Sequence, residues 1–304
     1  MKAKVGRRQL NGILLLDKPA GISSNAALQA VKRLYQAERA GHTGSLDPLA
    51  TGLLPICLGQ ATKLSGLLLD ADKVYVARAR LGERTATGDA EGEVVARSDA
   101  AALDRAGLEA VRAAFTGDIL QTPPMYSALK REGRPLYELA RAGLEVERAA
   151  RAVRIHRLEL TDFGGGEFGF EVACSKGTYV RTLAEDWAAA AGQCAHLVAL
   201  RRTGLAPFDA GSMVTLERLQ AAAAEGSADA LLLPMAAALR GWPRVSVTAA
   251  QAQRLAHGQA VEGVQPAQPA AAAALAIFAE AGDLLGIGEF DAAGRLAPKR
   301  WLSQ

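Results

Sequence analysis

Asp47 is the residue around which chemistry can be organised. It precedes Pro48 within a stretch, Gly41 to Gly59, that holds four glycines and two prolines. That density is incompatible with a regular helix, and a proline biases the residue before it toward extended backbone, so Asp47 is expected on a loop. A carboxylate held there can act as a nucleophile or stabilise positive charge, provided that it is ionised. A guanidinium close by favours the ionised form. Arg181 is expected in the first turn of a helix that Thr178 could cap, where a cation opposes the helix dipole. An anion nearby, either a carboxylate or a phosphate, would account for its place.

Other residue types narrow the chemistry. Cys57, Cys174 and Cys194 are an odd number at wide spacing, which fits neither a disulfide framework nor a zinc site, and they are expected as buried or half-buried thiols. The four histidines are equally scattered. With no ligand cluster and no phosphate-cradling loop, neither a metal nor an organic cofactor is expected. From Lys130 to Arg157 there are eight Lys or Arg against four Glu, a balance of +4 beside the +3 of the whole chain. A polyanion is the natural partner of such a segment.

The elements that must position these groups can be read from spacing. Gly12 to Leu16 reads as a strand ended by Asp17-Lys18-Pro19-Ala20-Gly21, followed by a helix that Ser23, Ser24 or Asn25 can cap, with Ala27, Val31 and Leu34 inward. A helix from about Ala61 to Leu69 leads into a strand, Lys73 to Leu81, in which Tyr75, Ala77, Ala79 and Leu81 share one face. Gly82 to Gly92 is turn-rich, and Leu103 to Phe115 reads as an amphipathic helix. After Gln121-Thr-Pro-Pro-Met-Tyr126 the basic segment is expected as a loop and helix standing off the sheet. Strands follow around Ala152 to Leu160, Glu167 to Ser175 and His196 to Arg202, with the helix of Val180, Leu183, Ala184 and Trp187 between the last two. An Ala- and Leu-rich helix is expected to run to about Leu239, and Gly241-Trp-Pro243 marks a boundary.

With 304 residues the chain exceeds the usual single domain. The reading is a mixed α/β (α+β) sheet domain over about 1–240 and a small β-rich domain over 241–304. Half the residues are hydrophobic and 22% are charged, an ordinary globular composition. The apolar run Pro269 to Ala279 is too short to span a bilayer, and Met1 to Gly12 lacks the apolar core of a signal peptide. A soluble, cytoplasmic protein is expected.

One run carries a specific resemblance. Gly41-His-Thr-Gly-Ser-Leu-Asp47-Pro-Leu-Ala-Thr-Gly52-Leu-Leu-Pro-Ile-Cys-Leu-Gly59-Gln-Ala-Thr-Lys63 resembles the signature of the TruB family, the tRNA pseudouridine-55 synthases. Gly12 to Ser24, Gln121 to Lys130, Lys176 to Leu183 and Leu200-Arg-Arg-Thr-Gly204 are similar to further family motifs in the family's order. The likeness runs from about Gly12 to Arg240 and is weaker beyond.

The resemblance implies a largely antiparallel central sheet flanked by helices and loops, and a C-terminal domain like the family's small RNA-binding (PUA-like) barrel. It implies isomerisation of uridine 55 in the T loop of tRNA: the N-glycosidic bond breaks, the base turns over, and C5 joins the same sugar carbon. Asp47 then matches the catalytic carboxylate and Arg181 its partner. Tyr75 matches the aromatic that stacks on a flipped base. His42 matches a residue that helps rearrange the T loop, while Tyr179 and Leu200 match the uracil pocket. Lys18 and Lys63 match basic residues that buttress the site or meet the RNA backbone, and Asp89 a further acidic position. The segment carrying Lys130, Arg131, Arg134 and Arg141, within an insertion of about 121–152, resembles a clamp on the T arm. A monomer acting on tRNA without guide RNA is implied, as in the stand-alone bacterial type.

Three other readings stay open at this level. One is an RNA-binding or tRNA-folding module; the joint presence of Asp47, Tyr75 and Arg181 argues against a purely binding role, while assistance of tRNA folding is compatible with catalysis. A second is a guide-RNA-dependent relative. The third is a nucleoside hydrolase, which would need a second carboxylate to activate water, a role open to Asp89.

Overall fold

The computed structural model describes residues 7–131, 133–265 and 274–302. Glu132 of the basic segment, residues 1–6 of the amino-terminal stretch and 269–273 of the alanine-rich run therefore lie outside the described residues. No described helix is long and apolar enough to cross a membrane.

Strand β1 (Gly12–Lys18) is buried along nearly its whole length, as its unbroken apolar run requires. Ser23 caps helix α1 (Ser24–Leu34) by accepting from the Ala26 amide, and Ala27, Leu28 and Val31 face inward. The next segment departs from the expected loop. After the short β2 (Ala40–His42) the chain loops through Asp47, and then forms an eight-residue strand, β3 (Thr51–Leu58), in spite of Gly52 and Pro55. The Pro55 carbonyl accepts from the Thr43 amide on the β2 side. The amide hydrogen that proline lacks would point the same way, so the ladder to β1 loses nothing.

Gly52 has φ +99°, and a Cβ there would stand 2.3 Å from the carbonyl oxygen of Arg202. Only glycine lets the two backbones meet. Gly52→Ala is expected to cost about 3 kcal/mol or more, through a forbidden φ and a backbone clash that no rotamer can relieve. Denaturant unfolding measures it; a loss below about 1 kcal/mol would mean that β3 can shift away from Arg202.

The helix expected over Ala61 to Leu69 is a 3₁₀ turn at Gly59–Leu64 running into α2 (Ser65–Asp70). Strand β4 (Lys73–Leu81) alternates as expected, with Tyr75, Ala77, Ala79 and Leu81 buried. Beyond it come a hairpin of β5 (Glu83–Thr85) and β6 (Val94–Arg97), helix α3 (Arg105–Val111) and strand β7 (Gly117–Gln121). The basic insertion folds as a small hairpin, β8 (Lys130–Arg131) with β9 (Arg134–Pro135), and helix α4 (Leu136–Arg141).

Strands β10 (Arg151–Gly164) and β11 (Glu167–Cys174) precede α5 (Val180–Ala190). Trp187 of α5 packs edge-on against Phe168 and Phe170, at 5.5 and 5.7 Å between centroids, and donates through its indole nitrogen to the Leu108 carbonyl. This fixes the helix on the sheet and with it the height of Arg181. The amino-terminal cap of α5 is Tyr179, without a side-chain bond; Thr178 instead donates to the Ser175 carbonyl and tightens the turn.

Strand β12 (Ala195–Leu205) lies centrally, between β3 and β4. After β13 (Phe208–Asp209) and β14 (Val214–Thr215), the long helix expected to Leu239 is only the nine-residue α6 (Leu216–Ala224) followed by 3₁₀ turns. Gly226 and Pro234 break the alanine-rich pattern. The ten-stranded sheet has the order β14-β1-β3-β12-β4-β11-β10-β7, with β2 on β3 and β13 on β12. It is antiparallel except where β1 meets β14 and β3 meets β12.

Beyond Gly241, β15 (Arg244–Val247), β16 (Leu275–Ala279), β17 (Leu284–Phe290) and β18 (Leu296–Trp301) form a separate sheet. A helix that the strand-like runs did not suggest, α7 (Ala249–Ala256), lies between the first two, opened by a capping box of Thr248 and Gln251. Val245, Val247, Leu255, Leu275 and Leu296 make a core within this unit. Phe278, Ile287 and Leu302 pack instead with Ala61, Leu64 and Leu68 of the larger one.

Candidate active site

Asp47 lies on the loop between β2 and β3, and its neighbours are anchored on both sides. Before it, Leu46 is buried in the core, and its amide donates to Ser24 Oγ at 2.7 Å. After it, the Pro48 carbonyl accepts from the Gly21 amide at 2.8 Å. The ammonium of Lys18, fully buried, donates to the carbonyls of Pro19, Ile22 and Pro48. Burial pulls Lys18 down to about 8, against the opposing charge of Asp47.

Arg181, in the first turn of α5, meets this loop. Its Nε lies 2.9 Å from Asp47 Oδ2, with 6% of the arginine side chain exposed against 39% of the aspartate. Nη1 donates to the Thr87 carbonyl at 2.5 Å and Nη2 to the Tyr126 carbonyl at 2.8 Å. The guanidinium is therefore spread over three partners. Burial raises the Asp47 carboxyl above its ordinary range, and Arg181 is the main opposing influence.

Two cavities, of about 350 and about 910 Å³, share Asp47 and Arg181 in their walls. The smaller is the more enclosed by aromatic and apolar groups: Tyr75, Tyr179, Leu200 and Leu69 line it. Its size and lining suit a flat heterocycle. Tyr75 is nearly buried on β4, and Leu200 projects from β12 next to it, in register with Ala77. The Gln121 side chain clamps the backbone of Tyr179, accepting from its amide at 3.0 Å and donating to its carbonyl at 3.3 Å. Five residues expected at the site, Asp47, Arg181, Tyr75, Tyr179 and Leu200, thus come together from four separated segments.

The larger cavity takes in His42, Asp89, Tyr126, Tyr137 and Arg141. His42 ends β2; burial, helped by the charge of Arg202, lowers its pKa, and its Nδ1 is buried without a partner among the described residues. Asp89 is a turn residue and a site residue at once. Its Oδ1 accepts from Thr87 Oγ1 at 2.6 Å and from the Glu91 amide at 3.1 Å, while Oδ2 stands 3.8 Å from Arg181 Nη1.

Lys63 is placed elsewhere. Its ammonium donates to the Trp301 carbonyl at 2.9 Å, and Arg300 donates to the Lys63 carbonyl, so it ties the 3₁₀ turn to β18 and lines neither cavity. Of the four insertion cations only Arg141, stacked 5.5 Å over the Tyr137 ring, lines a cavity. Lys130, Arg131 and Arg134 are exposed on the hairpin. Among the described residues these four make no ion pair, whereas Arg148, Arg154 and Arg157 of the same basic run are each paired.

The sequence assigned no role to Gln121 or Arg202 and offered Ser24 only as a possible helix cap, although each lay in a quoted motif. All three act on backbone groups, which no side-chain pattern reveals. Cys57 and Cys174 are buried and Cys194 half-buried, all as free thiols. Among the described residues no group of three or more His, Cys, Asp or Glu could hold a metal ion.

Comparison with known proteins agrees along the chain. Residues 32–180 match the model of the TruB family pseudouridylate synthase (N terminal domain), 181–240 that of the tRNA pseudouridylate synthase B C-terminal domain, and 243–302 that of Pseudouridine synthase II TruB, C-terminal. The chain is 51% identical to tRNA pseudouridine synthase B of Nitrosococcus oceani, over 96% of this chain and 95% of that protein. It is 52% identical to the protein of the same name from Stutzerimonas stutzeri, over 97% and 96%. Among solved structures it is similar to a chain of a Cbf5-Nop10-Gar1 complex, with TM-score 0.75 and 26% identity, over 96% of this chain and 85% of that one. A chain of an H/ACA RNP bound to a substrate RNA containing 2'-deoxyuridine shares the fold, with TM-score 0.74 at 23% identity.

Proposed function

The chain belongs to the TruB family of pseudouridylate synthases, which are isomerases, and from that premise we propose that it converts uridine 55 in the T loop of tRNA to pseudouridine, with Asp47 as the nucleophile. The observation that carries this reading is the 2.9 Å pair of Arg181 and Asp47, where an aromatic-lined cavity meets a larger polar one. The target nucleotide flips out of the loop, its base enters the smaller cavity against Tyr75 and beside Leu200 and Tyr179, and the T loop fills the larger one by His42.

The reaction breaks the bond between the sugar C1' and N1 and forms one between C1' and C5. The hydrogen of C5 is lost and N1 gains one, so no electrons, water or cofactor are needed. Asp47 attacks or stabilises the electron-poor centre, and Arg181 keeps it ionised against the cost of burial. The enclosed cavity holds the base while it is detached.

A hydrolase reading is disfavoured by Asp89, whose Oδ1 is taken up by Thr87 and the Glu91 amide and whose Oδ2 faces Arg181. The deciding experiment treats a tRNA transcript with the protein alone, without guide RNA or added cofactor. Pseudouridine at position 55 with no change in mass is expected. Free uracil, or modification only with a guide RNA, would refute the reading.

The exposed cations of the insertion are the proposed contact to T-arm phosphates. Replacing Lys130, Arg131, Arg134 and Arg141 together by Ala should weaken tRNA binding and reduce the slope of log affinity against log salt by roughly 0.7 to 0.9 per lost contact. The single-turnover rate at saturation should fall less than the affinity, because Asp47, Tyr75 and Arg181 lie in other segments. An unchanged salt slope would move the RNA path away from this surface.

A further inference from the structure

Alternation along β12 sends two adjacent arginines to opposite faces. Arg201 turns outward and pairs with Asp17 at 2.8 Å. Arg202 turns inward, is 1% exposed, and makes no ion pair among the described residues. A buried guanidinium without a carboxylate is costly and is held only if its donors find acceptors. Its Nε donates to the Leu53 carbonyl at 2.7 Å and Nη2 to the Gly44 carbonyl at 3.1 Å.

Those contacts converge on the site. Gly44 lies three residues before Asp47, on the same loop. Its φ of +97° favours glycine, and a Cβ there would stand 3.6 Å from Arg202 Nη1. Arg202 is also directly opposite Tyr75 in the register of β12 with β4, so the two side chains share a face, and its charge acts on the Tyr75 phenol against the effect of burial. Arg202 itself lines the smaller cavity.

We propose that Arg202 is a positioning residue for the isomerisation: its unpaired guanidinium sets the distance between the Asp47 loop and the Tyr75 ring. Lys18 holds the loop at Pro48, after Asp47, and Arg202 holds it at Gly44, before Asp47. The carboxylate is thereby suspended between two buried cations that bond to backbone rather than to the carboxylate itself. The planar fork is needed because its acceptors diverge; a lysine ammonium at the same place reaches one carbonyl, not both. This inference rests on the reading of Asp47 as the nucleophile.

The test uses Arg202→Met and Arg202→Lys in the full chain with a tRNA transcript. For Arg202→Met the single-turnover rate at saturating tRNA should fall about 10²-fold while affinity stays within about three-fold, since misplacement of a reacting group costs rate rather than binding. Guanidinium salt at millimolar concentration should restore about tenfold of the Arg202→Met rate, and sodium chloride of equal ionic strength should not. Arg202→Lys should remain slow. Amide hydrogen exchange should rise over residues 43–48 and stay unchanged in β16 to β18. A wild-type rate in Arg202→Met, or a loss unrelieved by guanidinium with exchange rising along the whole chain, would overturn the proposal. If Arg202→Met does not fold, Arg202→Lys, which keeps the charge, decides by rate, affinity and exchange. An inactive wild type would sink the assigned reaction, and exchange over 43–48 would still decide whether Arg202 holds the loop.

Discussion

Asp47→Asn is expected to lose turnover by on the order of 10⁴-fold or more while binding tRNA within a few-fold of the wild type. Asparagine keeps the shape and one oxygen for Arg181 but has neither charge nor nucleophilicity. The contacts that hold the loop are made by the backbone of Gly44, Leu46 and Pro48, so they survive the substitution. The carboxyl pKa is raised by burial, which means that the fold holds this charge against its own preference. Stability should therefore change by less than about 1 kcal/mol, the side chain being partly open to the cavity. Single-turnover conversion and tRNA affinity measured on a variant verified as non-deamidated make the test. Multiple turnovers by that variant would remove Asp47 from the chemistry.

The parts of this arrangement that sequence could and could not reveal differ for physical reasons. Strand β4 was legible because one of its faces is buried and the other is not, which produces the alternation of Tyr75, Ala77, Ala79 and Leu81. Helix α5 was legible because Val180, Leu183, Ala184 and Trp187 all face one core. Strand β3 was hidden by Gly52 and Pro55, which normally end strands. Here each answers a tertiary demand, a close backbone approach at Gly52 and a ladder side without need of a donor at Pro55. The alanine-rich region to Leu239 misled in the opposite sense, since helix propensity there is overridden by glycine, proline and short contacts to β1.

The site divides in the same way. Asp47, Tyr75, Tyr179, Arg181 and Leu200 were identified through the family resemblance, and the fold brings them together. Lys63 belongs to the same signature run as Asp47, yet its ammonium serves the C-terminal sheet. A match to a basic family position that buttresses the site or meets the RNA backbone carried it into the candidate set, and the turn of the chain after β3 carries it away from both cavities. Arg202 shows the reverse. Its role depends on the carbonyls of Leu53 and Gly44, which are visible only once β12 lies beside β3.

Arg181→Lys is expected to lower the single-turnover rate by about 10² to 10³-fold with little change in affinity. The guanidinium does not grip Asp47 with two nitrogens. Nε meets the carboxylate, Nη1 the Thr87 carbonyl and Nη2 the Tyr126 carbonyl, so one plane ties Asp47 to the Asp89 turn and to the root of the basic insertion. A lysine ammonium has three donors on a single atom and cannot reach three acceptors set around a plane. It would keep a positive charge near Asp47 while leaving at least one carbonyl unsatisfied and the carboxylate less closely held. The pH dependence separates this from general damage. On the proposed reading Asp47 acts in its ionised form, so the rate should fall as pH drops through its pKa, which lies above the ordinary aspartate value because of burial. Arg181 is the largest influence pulling that pKa down. Weakening the contact should raise it, and the acid limb of the rate profile should move to higher pH in Arg181→Lys than in the wild type. A normal rate, or an acid limb that does not move although the rate has dropped, would place Arg181 outside the charge balance of Asp47 and leave it only the task of joining the turn at Thr87 to the insertion at Tyr126.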